Sequence, residues 1–293
     1  MKQATRCEYE AWLMQTDVLL SDELEDGRHL TKAIERFGIL QKFTDVDGGV
    51  MMSDSDKRVW VGENGLAAWG ALKLYERTEN PIFLEQAKVW IQYITKNPPT
   101  VRKDQPRLQL VFVAWNNYAL MKMAKIEPRW HDEVKQNTEL LLYHQKKNKH
   151  WTICQHYDLY IARGLLYSYQ FFKLTDNILA NKCLLAVQEY LQKNSKLLNK
   201  TLPIHYWPLE WRGSGYSTLQ HAQLNFEIYI LTSSHDYLAD GLESLEAAKK
   251  HLVKNGKVLK RKGDKETNEL ATDWLKNCEV LKTKCENKKL ASY

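Results

Sequence analysis

Three stretches concentrate the residue types that could do chemistry. The stretch 203–216 holds Trp207, Glu210, Trp211, Arg212 and Tyr216. Indole and phenol rings stack on the faces of sugars while their polar edges meet hydroxyls. Glu210 stands between two tryptophans, and burial there would raise its pKa toward what a general acid needs. The alternative is an aromatic plug, with Glu210 paired to Arg212 at the surface. The stretch 150–158 supplies His156, Tyr157 and Asp158. His156 and Asp158 fit an acid and a base, or ligands of hydroxyls; equally, Asp158 fits a helix N-cap and His156 a solvent-facing loop residue. The third stretch runs from Thr44 through Asp45, Asp47, Gly48 and Gly49 to Glu63 and Asn64. Its glycines let backbone approach a ligand, and Glu63 falls at a helix start; the alternative is a plain turn, with Glu63 favoured by the helix dipole.

Inside the helices that follow lie Trp69, Trp115, Asn116, Asn117, Arg163, His221 and Asn225. The two tryptophans read as core. Asparagine is a poor helix former and costly to bury unpaired, so Asn116-Asn117 predicts exposure toward a wet cavity. Arg163 either binds a carboxylate or neutralises Asp158.

The elements that must position these residues repeat. An apolar helix, a short turn and a second, striped helix recur, with starts near Gly65, Leu110, Gly164 and Ala222. Five hairpins are predicted: 8–20 with 28–43, 65–77 with 80–95, 108–124 with 130–145 turning at Pro128, 158–174 with 176–193 capped by Asp176, and 217–232 with 236–253 capped by Ser233 or Ser234. A tail helix, 264–286, starts at Asp264. The first helix of each pair is apolar nearly all round, as in Leu110 to Trp115, which marks it as the inner one; the second carries a narrow stripe, such as Val89, Trp90, Tyr93 and Ile94. Short strand-like pieces are expected near 49–52 and 58–61. The expected organisation is a single domain, 1–293, with 254–293 as linker and tail helix.

Asp47-Gly48-Gly49, then Glu63 to Trp69, then the run from Leu74 to Leu84 resemble the (α/α) toroid superfamily. That group includes six-hairpin glycosidases, sugar epimerases of the N-acylglucosamine type and some polysaccharide lyases. The turns Leu174-Thr175-Asp176 and Leu231 to Leu238 follow the same logic, and the resemblance spans roughly residues 28–253. It implies an all-α fold, an (α/α)5–6 toroid of hairpins with apolar inner helices, and action on sugars. The Asp-Asp pair of the α-1,6-mannanase branch is absent. So is the Asn-Asn-His of the alginate-lyase branch, which Asn116-Asn117-Tyr118 only partly resembles. No catalytic residue is carried over.

Composition bounds the rest. The 293 residues are 44% hydrophobic and 27% charged, which is globular. Net charge is +6, but the basic runs at 146–149 and 254–262 are not interleaved with aromatics, so a lysine-rich solvated surface is expected and no nucleic-acid partner. Five cysteines without CxxC spacing give no metal site, and free thiols are the default. Cys278 and Cys285, seven apart on one helix, are ~10 Å apart and too far for a disulfide. No phosphate loop, GxGxxG, HExxH or GxSxG occurs, so no cofactor is expected. No membrane span or leader is visible: the location is cytoplasmic for a full-length chain, secreted or periplasmic if a leader was trimmed.

Three functions remain. A glycoside hydrolase needs two carboxylates, about 6.5–9.5 Å apart when inverting and 5–5.5 Å when retaining. The acid is Glu210 or Glu63, and Asp158 is the opposing group. A lyase or epimerase on uronic-acid sugars would use His156, Tyr157, Arg163, Tyr216 and His221. A non-enzymatic toroid would bind glycans or proteins.

Overall fold

A computed structural model describes residues 7–53, 55–100, 106–145, 149, 151–152, 155–195, 215–259 and 268–291. Among them the helices are α1 (Cys7–Leu24), α2 (Gly27–Lys42), α3 (Val61–Thr78), α4 (Pro81–Lys96), α5 (Pro106–Ile126), α6 (His131–Tyr143), α7 (Gln155–Phe172), α8 (Asn177–Ser195), α9 (Gly215–Thr232), α10 (His235–Leu252) and α11 (Glu269–Ala291). The five expected hairpins are present, with a single turn of 3-10 helix, Pro128–Trp130, at the expected Pro128 bend. Links inside a pair are short, at 25–26, 79–80, 127–130, 173–176 and 233–234. Links into the next first helix are long, at 43–60, 97–105, 144–154, 196–214 and 253–268.

Local chemistry sets the turns. Asp26, Asn80 and Asp176 accept the backbone N–H of Arg28, Ile82 and Leu179 at 3.0, 3.1 and 3.0 Å, closing the starts of α2, α4 and α8. Pro81 opens α4, where its missing N–H costs nothing. Ser234 occupies the N-cap position of α10 without a side-chain capping bond. The tail helix starts later than expected. Asn268 caps it through Ala271 N–H at 2.9 Å, and Asp264 lies outside the described residues. Part of the expected linker is a two-residue hairpin, β1 (Val253–Lys254) with β2 (Lys257–Val258), turned by Asn255 and Gly256, both at positive φ. Asn-Gly is the common signal for that turn. The strand-like pieces near residue 50 amount to two isolated bridges, Thr44 with Val50 and Met51 with Val59.

The chain divides into two compact units. One comprises Met1–Gln145 and Tyr167–Cys183, the other Lys146–Leu166 and Leu184–Tyr293.

In the first unit α3 is the hub, packed against α1, α4 and α5. It is buried at twelve of eighteen positions, against five of sixteen in α4, so the first helix is enclosed and the second shows only a stripe. Glycines set the approach. A Cβ on Gly62 would meet the Phe112 ring at 2.2 Å, and one on Gly65 would meet Asn116 backbone nitrogen at 2.7 Å. A Cβ on Gly70 would meet Met14 Cε at 2.2 Å. Later residues of α3 face later residues of α5, so these first helices run parallel. Trp12, Trp69, Trp115, Tyr118 and Tyr167 interlock, with Trp69 and Tyr118 centroids 4.7 Å apart and Trp12 edge-on to Trp69 at 5.8 Å. Both tryptophans expected as core are buried.

In the second unit α9 packs on α10 and α11. Cys278 Sγ donates to Leu219 carbonyl and Cys285 Sγ to Phe226 carbonyl, at 3.5 and 3.7 Å. Both contacts step by seven residues on each helix, so α9 and α11 are also parallel. Burial pushes the Cys285 thiol up to about 11 and Cys278 higher still. The described cysteines are free and buried. Among the described residues no helix is long and apolar enough to cross a membrane.

The glycine contacts predict a contrast. Gly65→Ala sets a methyl against helix backbone that cannot yield, and is expected to cost about 2–3 kcal/mol. Gly70→Ala meets only the flexible tip of Met14. There a helix-propensity gain of about 1 kcal/mol largely offsets the crowding. Urea unfolding of both variants checks this; equal losses would contradict the assigned approach.

Candidate functional site

The link 43–60 is fastened to the starts of α1 and α3. Cys7 N–H donates to Met52 carbonyl at 3.0 Å, and Val50 N–H to Asn64 Oδ1 at 2.9 Å. Trp90 Nε1 donates to Thr44 Oγ1 at 2.9 Å, tying the link to α4. Asp45 Oδ1 accepts from Asp47 and Gly49 N–H at 3.0 and 2.7 Å, which makes the acidic stretch a tight turn. Gly48, at φ +88°, needs its missing side chain for that turn. A Cβ on Gly49 would meet Val59 at 2.8 Å and Tyr93 at 2.9 Å. These glycines admit the α4 packing.

Glu63 sits in the first turn of α3 and is 3% exposed. Its Oε2 has no hydrogen-bond partner. Burial raises its pKa well above the ordinary carboxyl value, and the charge of Glu8, in the first turn of α1, raises it further. The bonds through Met52 and Val50 therefore hold two carboxyl groups at one end of this unit. Glu8 escaped the sequence analysis. Its only signal was an acidic residue opening an otherwise buried helix.

Asn116 is 3% exposed and Asn117 fully buried, so neither faces the wet space expected from sequence. Asn117 Nδ2 donates to Thr138 Oγ1 at 3.1 Å and lies 3.4 Å from Ser168 Oγ; the two hydroxyls are 3.0 Å apart. This polar knot joins α5, α6 and α7. Asn116 Oδ1 is buried with no hydrogen-bond partner, close against Gly65.

In the second unit Asp158 lies one turn into α7 rather than at its cap. It is fully buried, and its Oδ1 accepts the N–H groups of Trp151 and Thr152 at 3.2 and 2.7 Å. Arg163 engages a carboxylate of α9. Its Nε and Nη2 reach Glu227 at 3.2 and 2.5 Å in a two-pronged pair. His156 is buried and edge-on to Tyr160, with centroids 4.7 Å apart, and Tyr157 is half-buried beside it. His221 Nδ1 is 2.9 Å from Ser244 Oγ, which turns it toward α10. Burial lowers His156 to about 3 and His221 to about 4. Trp207, Glu210, Trp211 and Arg212 lie outside the described residues, as does the side chain of Tyr216. Among the described residues no cluster of His, Cys, Asp and Glu is placed to hold a metal ion.

No family model and no curated protein matches the chain in sequence. Solved structures match it in shape. Cellobiose 2-epimerase from Bacillus thermoamylovorans superposes with a TM-score of 0.78 at 12% identity, covering 97% of this chain and 88% of that one. A GH76 α-mannanase from Bacteroides thetaiotaomicron gives 0.72 at 12%, covering 99% and 89%. A glycosyl hydrolase family 88 protein from Bacteroides vulgatus gives 0.72 at 10%, covering 97% and 92%. Likeness at this identity establishes the fold alone: an all-α arrangement of (α/α) toroid type.

The two histidines predict an acid-sensitive fold. Each is neutral when folded and has an ordinary value of 6.5 when unfolded. The unfolded chain therefore takes up protons first, and stability falls as pH drops below 6.5. The loss is about 2 kcal/mol per histidine at pH 5. Unfolding midpoints at pH 7.5 and 5.0 test this, with His156→Gln/His221→Gln expected to lose markedly less. An identical loss in that variant would exclude the histidines.

Proposed function

We propose that the protein is a carbohydrate-active enzyme and, within that class, a glycoside hydrolase. The single observation that carries this is the buried carboxyl of Glu63, its pKa raised by burial and then by the charge of Glu8. Glycoside cleavage needs a proton donor of raised pKa and an ionised partner, and two carboxyl groups whose environments push their pKa values apart supply both. In this reading Glu63 protonates the leaving oxygen. Glu8, the more exposed of the two, serves as base or nucleophile. The solved structures of the same fold support a sugar substrate: they include a cellobiose 2-epimerase, an α-mannanase and a glycosyl hydrolase.

Asp158, already engaged by two backbone N–H groups, holds the start of its helix in this reading. The uronic-acid lyase or epimerase reading is disfavoured by three observations: Arg163 is engaged by Glu227, His221 is turned to Ser244, and both buried histidines are poor bases at neutral pH.

The test is Glu63→Gln and Glu8→Gln in a reducing-sugar assay over a panel of neutral glycans. Each should lower turnover by about 10²–10⁴-fold. Because the folded value of Glu63 is raised, the folded state is destabilised as pH rises above the ordinary carboxyl range. Gln, always neutral, removes that cost. Glu63→Gln should therefore raise Tm at pH 7 while abolishing activity. A panel left uncleaved by the unmodified protein, or a fully active Glu63→Gln, would refute the hydrolase assignment.

A further inference from the structure

Helix α9 is buried and yet polar. Ser217, Thr218, Gln220, His221, Gln223 and Asn225 are each at most 4% exposed. Contacts fix the faces of this helix. His221 reaches Ser244, and the Phe226 ring lies where a Cβ on Gly241 would stand, so that side belongs to α10. Gln223 Nε2 donates to Trp274 carbonyl at 3.4 Å, and Leu219 carbonyl receives Cys278, so an adjacent side belongs to α11. Each residue turns a helix by about 100°. Gln220 and Glu227 therefore share a line beside Gln223, on the side turned away from α10. On α11, Asn277 lies away from Glu279, which pairs with Lys249 of α10 at 2.6 Å.

This face is short of partners. Both amide atoms of Gln220, Oε1 of Gln223 and Oδ1 of Asn277 are buried without a hydrogen bond. Buried amides left unpaired are costly, and native folds rarely keep several together without a use. A primary amide donates and accepts at once, which matches a hydroxyl, itself donor and acceptor. The charges nearby cancel. Arg163 is held by Glu227, and Asp273 by Lys276 at 2.7 Å, so these described charges are paired within the fold.

We propose that Gln220, Gln223 and Asn277, with the Arg163–Glu227 pair behind them, form a subsite for the ring of a neutral, hydroxyl-rich sugar. The inference rests on the carbohydrate reading above and narrows it to uncharged sugars. The amides take the ring hydroxyls, and the ion pair keeps the floor of the subsite polar without net charge.

The test titrates the full chain with cellobiose, mannose, N-acetylglucosamine and glucuronate by calorimetry, alongside Gln220→Leu, Asn277→Leu and Glu63→Gln. At least one neutral sugar should bind, and glucuronate should bind about tenfold more weakly or worse. Gln220→Leu and Asn277→Leu should each weaken the neutral sugar by about tenfold while raising Tm, because an unpaired buried amide is removed. Glu63→Gln should change its Kd by no more than about twofold. The subsite is overturned if no neutral sugar binds, if glucuronate binds as tightly, or if both leucine variants keep the original Kd. Lost turnover in Glu63→Gln with an unchanged Kd in both leucine variants sinks the subsite and spares the hydrolase. Weakened binding in those variants beside an active Glu63→Gln does the reverse.

Discussion

Helix α3 carries no side chain at positions 62, 65 and 70, and its neighbours fill that space. Phe112 and Asn116 of α5 stand where two of the missing methyl groups would be, and Met14 of α1 takes the third. This close approach lets three parallel helices meet through backbone as well as side chains. It brings Trp12, Trp69, Trp115 and Tyr118 within stacking range, a packing that larger residues on α3 would push apart. It also encloses the first turn of α3, and enclosure is what raises the Glu63 pKa. The acid chemistry proposed for Glu63 is thus a consequence of how tightly a helix can be packed several residues away.

A second constraint is the asymmetry of the links. Turns inside pairs are two to four residues, just enough to reverse the chain. Links into first helices are far longer, and they carry Asp45, Asp47, Trp207, Glu210 and Trp211 among the residues singled out from sequence. A frame of hairpins thereby fixes one end rigidly and leaves the other free to vary. The same frame serves an epimerase, a mannanase and a glycosyl hydrolase. Shape alone therefore cannot choose a reaction, and the choice has to come from side chains.

Much of the frame was legible because its signals are local. Apolar runs such as Leu110 to Trp115 and caps such as Asp176 depend on residues within a few positions. The turn Asn255-Gly256 was equally local and was overlooked inside a lysine-rich stretch read as linker. The site was less legible because burial of a polar group depends on partners distant in sequence. Arg163 found Glu227, 64 residues away. Asn117 found Thr138 and Ser168 instead of solvent. Asp158 sits past the helix start because α7 begins three residues earlier than its apolar pattern does. Glu8 and Gln220 gave almost no signal, since an acid or amide on a helix normally reads as surface.

Buried polarity takes two forms here, and the difference bears on function. Some of it ties helices together: Asn117 Nδ2 donates to Thr138, and Asp17 takes both His29 at 2.7 Å and Arg36 at 3.0 Å between α1 and α2. Some of it stays unpaired among the described residues, as at Glu63 Oε2 and the Gln220 amide. An apolar residue at Gln220 would have packed at less cost, so stability alone does not account for the amide. Selection that keeps a costly group answers to something outside the fold, and for a neutral donor-and-acceptor group that is a ligand rich in hydroxyls.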